Sequence, residues 1–246
     1  MSLHSAYRTV RQFVLRPRQF FRRSSATSAA AGFVVVLALA IALTASVWYL
    51  GVLLAESTDA TVTMDNPERP PDWVCEQHAD DPDSAFGSGC DQPETVERDV
   101  GSLLREAASE YVGLAFFGTL FIWPIAGGVL FVAARTVGGT GGFLATLGVA
   151  GWGALPEFLR LAAGLAGLQY ALGRTEFTEP FESFPTQLEA ALASIQLPLL
   201  AVSLLVLVWQ WSVLTAGLEE VHDLPRGVAA VAAGIPLALW GVLFLA

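Results

Sequence analysis

Apolar residues along the chain are grouped into five long runs, which polar segments separate. Each run is long enough to cross the hydrocarbon core of a bilayer, which takes about 20 helical residues. The pattern therefore predicts an all-α fold, a polytopic membrane helix bundle with five transmembrane helices, the last four of which form one bundle over residues 110–246. The predicted spans are Ala30–Ala55, Tyr111–Val132, Phe143–Leu172, Gln196–Leu218 and Gly227–Ala246.

The first run follows a basic segment and therefore has an alternative interpretation as a secretory signal peptide. The apolar region of a signal peptide is only about 7 to 15 residues long. The run at 30–55 is longer than that, so we predict an uncleaved membrane anchor.

Composition supports a membrane protein, because 54% of the 246 residues are hydrophobic and only 15% are charged. Ordinary soluble domains contain more charge than this. The net charge of −10 and the absence of lysine, with all thirteen basic residues being arginine, are typical of a halophile with a high-salt interior. No basic stripe lies on a soluble face beyond the N-terminal segment, so nucleic-acid binding is not predicted.

Arginine placement predicts how the spans are oriented, because cytoplasmic loops carry an excess of basic residues. Residues 1–29 contain six arginines and no acid, which places the N-terminus in the cytoplasm. With five crossings, the loops around Arg135 and Arg226 are also cytoplasmic, whereas residues 56–109, residues 173–195 and the C-terminus face outside. The predicted location is the cell (plasma) membrane, as a multi-pass protein.

The N-terminal arm, residues 1–29, interleaves arginines with aromatic and aliphatic residues. Such a segment can lie in the membrane interface, with its apolar face at the acyl boundary and its cations toward anionic headgroups. The alternative is that the arm only sets the topology, which requires no docking. The arginines expected at the lipid interface are Arg16, Arg18, Arg22 and Arg23.

Residues 56–109 form an acidic segment with fourteen acids and three arginines. This composition indicates an irregular, solvated extracytoplasmic loop with a short amphipathic lead-in near Val96–Ser109. Both cysteines of the chain, Cys75 and Cys90, lie in this segment, and an oxidising exterior favours a disulfide between them. The alternative is a zinc site with Cys75, His78 and Cys90 as ligands, but its fourth ligand would have to be an acidic residue that no motif spacing singles out.

Two charges stand inside the third apolar run, where each costs roughly 2.5 to 3.5 kcal/mol at the bilayer centre. Glu157 and Arg160 are three residues apart, so they lie on one face of a helix. Pro156 has no N–H for the carbonyl of Trp152, four residues earlier. We therefore predict an intramembrane ion pair that faces the bundle interior at a proline bend and has a structural role.

Two motifs invite a catalytic interpretation, and each is incomplete. The segment Val137–Gly142, "VGGTGG", lacks the Lys-Ser/Thr of a phosphate-binding loop and a preceding strand, so it predicts a tight turn between spans. The segment Gly217–Gly227, "GLEEVHDLPRG", has paired carboxylates, but the Glu-Glu-x-x-x-Arg pattern of intramembrane metalloproteases needs arginine where Leu224 stands. We predict that the chain is not an enzyme and has no cofactor or metal ligands.

Three stretches, in their order and spacing, resemble the YIP domain family, the Ypt/Rab-interacting proteins. They are "VLRPRQFFRR" before the first span, "RTVGGTGGFLATLGVAGWGALPEFLRL" entering the third, and "WSVLTAGLEEVHDLPRGVAAVAAGIPLAL" between the fourth and fifth. The resemblance covers most of the chain except 56–109, and it implies five membrane helices with a cytoplasmic N-terminus. The chain is most similar to prokaryotic-type members, so the resemblance implies no Rab partner.

The sequence thus predicts a non-catalytic multi-pass membrane protein of the YIP-domain type, with a membrane-organising or partner-binding role. Its expected partners are the lipid bilayer, including anionic headgroups, and an unidentified membrane or cytoplasmic protein. The alternative is a small transporter or channel subunit, in which Glu157 and Arg160 line a path and Gln210 adds a polar contact.

Overall fold

The computed structural model describes residues 11–14, 16–22, 27–78, 87–175 and 183–245 of the chain. These residues are mostly helical, which agrees with the predicted all-α class. A helical turn at 11–14 precedes the first helix. The elements that follow are α1 (Pro17–Phe21), α2 (Ala29–Ala55), β1 (Thr61–Asp65), α3 (Asp72–His78), α4 (Gly87–Cys90), β2 (Thr95–Asp99), α5 (Val100–Thr136), α6 (Phe143–Gly153), α7 (Glu157–Leu172), α8 (Phe184–Ala193), α9 (Gln196–His222) and α10 (Arg226–Leu245).

Three of the described helices, α2, α5 and α9, are long and apolar enough to cross a membrane. They correspond to the first, second and fourth predicted spans. The fifth predicted span falls in α10, whose described apolar part, Arg226–Ala238, is shorter than a span. Long helices such as α2, α5 and α9 suit lipid, because a helix satisfies its backbone hydrogen bonds internally.

The third predicted span is not one continuous helix, because a three-residue turn separates α6 from α7. Pro156 has no N–H to donate to the carbonyl of Trp152, and the N–H of Leu155 donates to that carbonyl instead (3.1 Å). A similar three-residue hydrogen bond runs from Glu157 to the carbonyl of Ala154 (3.1 Å). The proline therefore breaks the helix, where the sequence predicted only a bend.

Helix α2 packs closely on α5 and α6. The side chain of Ser28 caps its N-terminus by accepting a hydrogen bond from the backbone N–H three residues later (3.2 Å). A Cβ added at Gly148 would lie 2.6 Å from the carbonyl oxygen of Thr27, and one at Gly32 would lie 2.8 Å from the carbonyl oxygen of Gly148. Glycine at these positions lets the two backbones meet, as is common between membrane helices.

The acidic segment contains a two-stranded antiparallel sheet, so the predicted irregular loop is wrong for this part. The register runs from Thr61 opposite Asp99 to Asp65 opposite Thr95, and β-branched residues favour these strands. Helix α5 follows β2 directly, and the Asp99 carboxylate caps it by accepting from the N–H of Ser102 (2.6 Å). The predicted lead-in from Val100 onward and the second span therefore form one helix of 37 residues, whereas the start of the lead-in belongs to β2.

The bundle has two ends, which we call the arm end and the sheet end. The arm end comprises the described arm residues 11–14 and 16–22, the C-terminal ends of α5 and α9, and the N-terminal ends of α2, α6 and α10. The sheet end comprises β1, β2, the C-terminal ends of α2, α7 and α10, and the N-terminal ends of α5 and α9. The main core lies toward the arm end, among the arm, α6, α9 and α10. Its most deeply buried side chains include those of Phe13, Phe21, Val149, Val213, Leu218 and His222.

Candidate functional site at the arm end

The C-terminal end of α9 carries a fully buried histidine, His222. The hydroxyl of Thr146 on α6 donates to the carbonyl of Gly142 (3.1 Å) and lies 2.8 Å from Nε2 of His222. The Thr146 hydroxyl and Nε2 of His222 therefore share a hydrogen bond, whose direction depends on the imidazole tautomer. The Nδ1 atom has no hydrogen-bond partner among the described residues. This histidine therefore has a packing and hydrogen-bonding role that ties α9 to α6.

The glycine-rich turn between α5 and α6 closes over the same histidine. The N–H of Thr140 donates to the carbonyl of His222 (3.1 Å), and Arg135 donates to the carbonyl of Gly139 (3.2 Å). A Cβ at Gly139 would lie 2.8 Å from Nδ1 of His222, so only glycine fits there. Gly138 has φ +92°, a conformation that glycine adopts without strain. The predicted tight turn thus also packs against the end of α9 and hydrogen-bonds to it, a contact that was not predicted from the sequence.

The aromatic residues of the arm are buried against protein. Phe13, Phe20 and Phe21 are each at most 3% exposed. Trp152 of α6 lies 4.7 Å from Phe20 and 5.6 Å from Phe13 between ring centroids, and Trp209 of α9 lies 6.1 Å from Phe13. The predicted placement of this apolar face at the acyl boundary is therefore wrong for these three residues, because they are buried in the protein core.

Two arginines of the arm pair with the adjacent glutamates of α9. Arg18 contacts Glu219 (3.0 Å) and Glu220 (2.9 Å), and Arg22 contacts Glu220 (3.3 Å). The hydrogen bond to Glu220, together with the charge of Glu219, raises the pKa of Arg18 above its ordinary value. Both arginines stay more than half exposed. Arg16 is also exposed.

Of the four arginines that the sequence assigned to lipid, the structure thus places two in ion pairs with protein and leaves Arg16 on the surface. Arg23 lies outside the described residues. The residues that receive the arm, Trp152, Trp209, Glu219 and Glu220, were not assigned to it from the sequence. The opposite charges of the arm and of the Glu-Glu pair were the feature of the sequence that could have predicted this contact.

Glu157 and Arg160 lie in contact near the break between α6 and α7, with 3.1 Å between Oε2 and Nη1. The side chain of Arg160 is 40% exposed and that of Glu157 is 26% exposed in the isolated chain. The pair is therefore partly buried rather than enclosed by the bundle. The Nε atom of Arg160 is buried without a partner among the described residues.

Gln210 of α9 meets the same break. Its side-chain amide donates to the carbonyl of Gly153 (3.0 Å), which in a continuous helix would accept from the N–H of Glu157. The turn redirects that N–H to Ala154, so the neighbouring helix supplies the missing donor. Gln210 thus has a structural partner, which weakens its assignment to a transport path.

The model of the Yip1 domain matches residues 11–246, which is nearly the whole chain. The chain belongs to the Yip1 domain family. Yip1 domain proteins are a non-enzymatic membrane protein family, and the resemblance noted from the sequence is thereby confirmed. No curated protein and no solved structure matches the chain.

The three stretches that carried the resemblance meet in space in this Yip1 domain. The arm contributes Arg18, the glycine-rich turn contributes Thr140, and the end of α9 contributes Glu220 and His222. Arg18 and Glu220 are 202 positions apart in sequence. The arm end is therefore the place where the family's separate sequence features form one site.

At the sheet end of the Yip1 domain, the Sγ atoms of Cys75 and Cys90 are bonded, with their Cα atoms 5.4 Å apart. Arg69 donates to the carbonyls of Cys90 (3.2 Å) and Gln92 (2.9 Å) beside this disulfide. The side chain of His78 lies outside the described part. In the part of the chain that the structure describes, no cluster of three or more His, Cys, Asp or Glu residues is placed to hold a metal ion.

Proposed function

We propose that this Yip1 domain protein is a non-catalytic multi-pass protein of the cell membrane that organises the bilayer through its arm end. Anionic lipid headgroups and a partner protein bind there. The observation that carries the proposal is the docking of the arm by buried phenylalanines, Phe13, Phe20 and Phe21. Since apolar packing and the ion pairs of Arg18 and Arg22 hold the arm, Arg11 and Arg16 are not used in docking and remain exposed.

The exposed arginines of the arm supply the attraction to anionic lipid. Arg11 and Arg16 are exposed, and neither has an ion pair with another described residue. The same end carries Arg135 and Arg226, whereas the sheet end is rich in acids. A basic residue near an anionic membrane surface contributes about 1 kcal/mol of attraction, and salt screens this attraction. The docked arm is thus a fixed basic surface at the membrane.

The proposal includes five crossings with the arm end in the cytoplasm and the C-terminus outside. Support for the third crossing comes from helix lengths: α6 has 11 residues and α7 has 16, so together they extend about 40 Å at 1.5 Å per residue. Helix α6 contacts the arm, and Gly167 of α7 lies near Ile195 before the start of α9. These contacts support a third crossing that the two short helices make together.

Energy transfer to labelled lipid tests the lipid part of the proposal. A donor fluorophore on Thr136→Cys, an exposed position at the arm end, is measured in vesicles with either anionic or neutral acceptor lipids. We expect more transfer to the anionic lipid at low salt, and the paired change Arg11→Gln with Arg16→Gln should remove most of that difference. The matched control is Arg174→Gln, an exposed arginine at the opposite end. Equal transfer to both lipids in the native protein would contradict the proposal.

Co-purification tests the protein part. The native chain and the Arg11→Gln, Arg16→Gln variant are solubilised in detergent, and the proteins bound to each are identified by mass spectrometry. We expect at least one partner that is lost with the variant and retained with Arg174→Gln. Identical sets of bound proteins would contradict a role of these two arginines in binding a partner.

The lysine-free, acidic composition supports a prokaryotic-type protein of a halophile. In molar salt the attraction between exposed charges is short-ranged. The buried phenylalanines then become more important, because apolar packing does not depend on ionic strength in this way.

A further inference from the structure

A pocket of about 390 Å³ lies at the sheet end, between α2 and the first turns of α5. One face of α5 forms its wall, because Ser102, Arg105 and Ser109 recur at the spacing of helical turns. Arg98 of β2 and Trp48 of α2 complete the lining. None of these residues takes part in the arm end, which is at the opposite end of the bundle.

The pocket lies at the level of a membrane surface. The apolar part of α5 begins near Tyr111, and Arg105 precedes it by six residues, or about 9 Å along the helix. Trp48 is 61% exposed and lies one turn before Gly51, where α2 meets α5 beside Arg105. Tryptophan and tyrosine are enriched where hydrocarbon meets headgroups. The guanidinium groups therefore lie at headgroup depth.

Charge in the pocket favours an anion. Arg98 pairs with Glu106 (3.0 Å), so these two groups offset each other. Arg105 is exposed and has no ion pair or hydrogen bond with another described residue. One uncompensated cation thus remains beside a second arginine, in a part of the chain that is otherwise rich in acids. Arginine is well suited to phosphate because its planar group donates in a fork.

The remaining polar groups favour a headgroup that carries hydroxyls. The hydroxyls of Ser102 and Ser109 donate to the backbone carbonyls of Asp99 and Glu106 (2.7 Å each). Their oxygens are therefore left as acceptors, as is the Glu106 carboxylate. A glycerol headgroup can donate to such acceptors, whereas a choline headgroup has no hydrogen-bond donor.

We propose that this pocket binds the headgroup of an anionic phospholipid, with the phosphate on Arg105 and Arg98 and headgroup hydroxyls on the serine oxygens. The site is separate from the arm end, so the leaflet at each end of the bundle has its own anionic contact. Phosphatidylglycerol is the probe, because it combines the phosphate with hydroxyl donors.

Native mass spectrometry of the full chain in detergent tests this proposal by measuring the affinities for phosphatidylglycerol and phosphatidylcholine. We expect a preference for phosphatidylglycerol that Arg105→Gln weakens about fivefold, the effect of one cation at a charged surface. Arg105→Lys should retain part of it, because the charge remains but the forked donor is lost. Arg174→Gln is the control, since it removes an exposed arginine and should leave the preference unchanged.

Two results would overturn the proposal. The first is a phosphatidylglycerol preference that is the same in the native chain, Arg105→Gln and Arg174→Gln. The second comes from adding inorganic phosphate or glycerol phosphate to the lipid-free protein and, separately, to the protein with bound phosphatidylglycerol. If these soluble anions bind as tightly as phosphatidylglycerol and displace it, the pocket takes a free anion and not a lipid.

Discussion

The ion pair beside the helix break is the most informative perturbation in this protein. We consider a double-mutant cycle of Glu157→Leu, Arg160→Leu and the double variant. Each single change leaves one charge without its partner at 3.1 Å, whereas the double change removes both charges. A structural pair therefore predicts that the double variant is more stable than either single variant.

The magnitude follows from the partial exposure of the pair. Removal of one partner from a fully buried ion pair costs about 3 to 5 kcal/mol, and an exposed pair contributes about 1 kcal/mol or less. With exposures of 40% for Arg160 and 26% for Glu157, we expect each single variant to lose about 1 to 3 kcal/mol, between those limits. The Nε of Arg160 is buried without a partner among the described residues. This burial costs free energy in the native chain, so removal of Arg160 favours recovery in the double variant.

Unfolding by titration with a denaturing detergent in mixed micelles measures the four free energies of the cycle. We expect a coupling energy of about 1 to 2 kcal/mol, the range of contacting side chains. Glu189→Leu, which removes an exposed acid from α8, is the control and should change the free energy of unfolding by less than about 0.5 kcal/mol.

Proteoliposomes distinguish this structural role from transport. If Glu157 and Arg160 line a path, the native protein conducts protons or ions and the double variant folds but does not. A native flux that the double variant lacks, together with a coupling energy near zero, would refute the structural role. Absence of flux with clear coupling supports it.

Three further predictions concern packing, the helix break and sidedness. Gly141→Ala places a Cβ against the backbone of α9 and should lower stability by about 1 to 3 kcal/mol through overpacking. The control Gly128→Ala, whose Cβ meets no atom within 4 Å, should not lower it. Thermal unfolding compares the two variants, and equal melting temperatures would contradict the close contact between the glycine-rich turn and α9. Gln210→Leu leaves the carbonyl freed at the break without its donor and should cost about 1 to 2 kcal/mol in the same assay; an unchanged melting temperature would show that this hydrogen bond is dispensable. A membrane-impermeant maleimide should label Cys75 and Cys90 in intact cells only after reduction, and labelling that requires lysis would reverse the proposed orientation.

Several features were already determined by local sequence. An apolar run of about 20 residues in lipid must satisfy its own backbone hydrogen bonds, so it forms a helix whatever its neighbours are. Helices α2, α5 and α9 follow this rule. The tight turn at Val137–Gly142 was also predicted from its glycines alone. The order and spacing of three sequence stretches were sufficient to indicate the Yip1 domain family.

Sequence pattern did not determine what the arm contacts. An amphipathic segment with aromatic and cationic residues suits a membrane interface, but it suits an aromatic, acidic protein surface equally well. Trp152 and Trp209 provide the aromatic part of that surface, and Glu219 and Glu220 provide the acidic part. These residues lie on two helices that only the packed bundle brings together, so the choice between lipid and protein depended on tertiary contacts.

The helix break shows the same division. The sequence determined that Pro156 cannot donate a hydrogen bond, and hence that a backbone carbonyl inside an apolar stretch needs another donor. Whether the chain bends or breaks there depends on what a neighbouring helix offers. Gln210 on α9 donates to the carbonyl of Gly153, which the break leaves without its helical donor. This hydrogen bond thus offsets part of the free-energy cost of breaking the helix. Local sequence sets which backbone groups need partners, and only the tertiary structure supplies partners from distant parts of the chain.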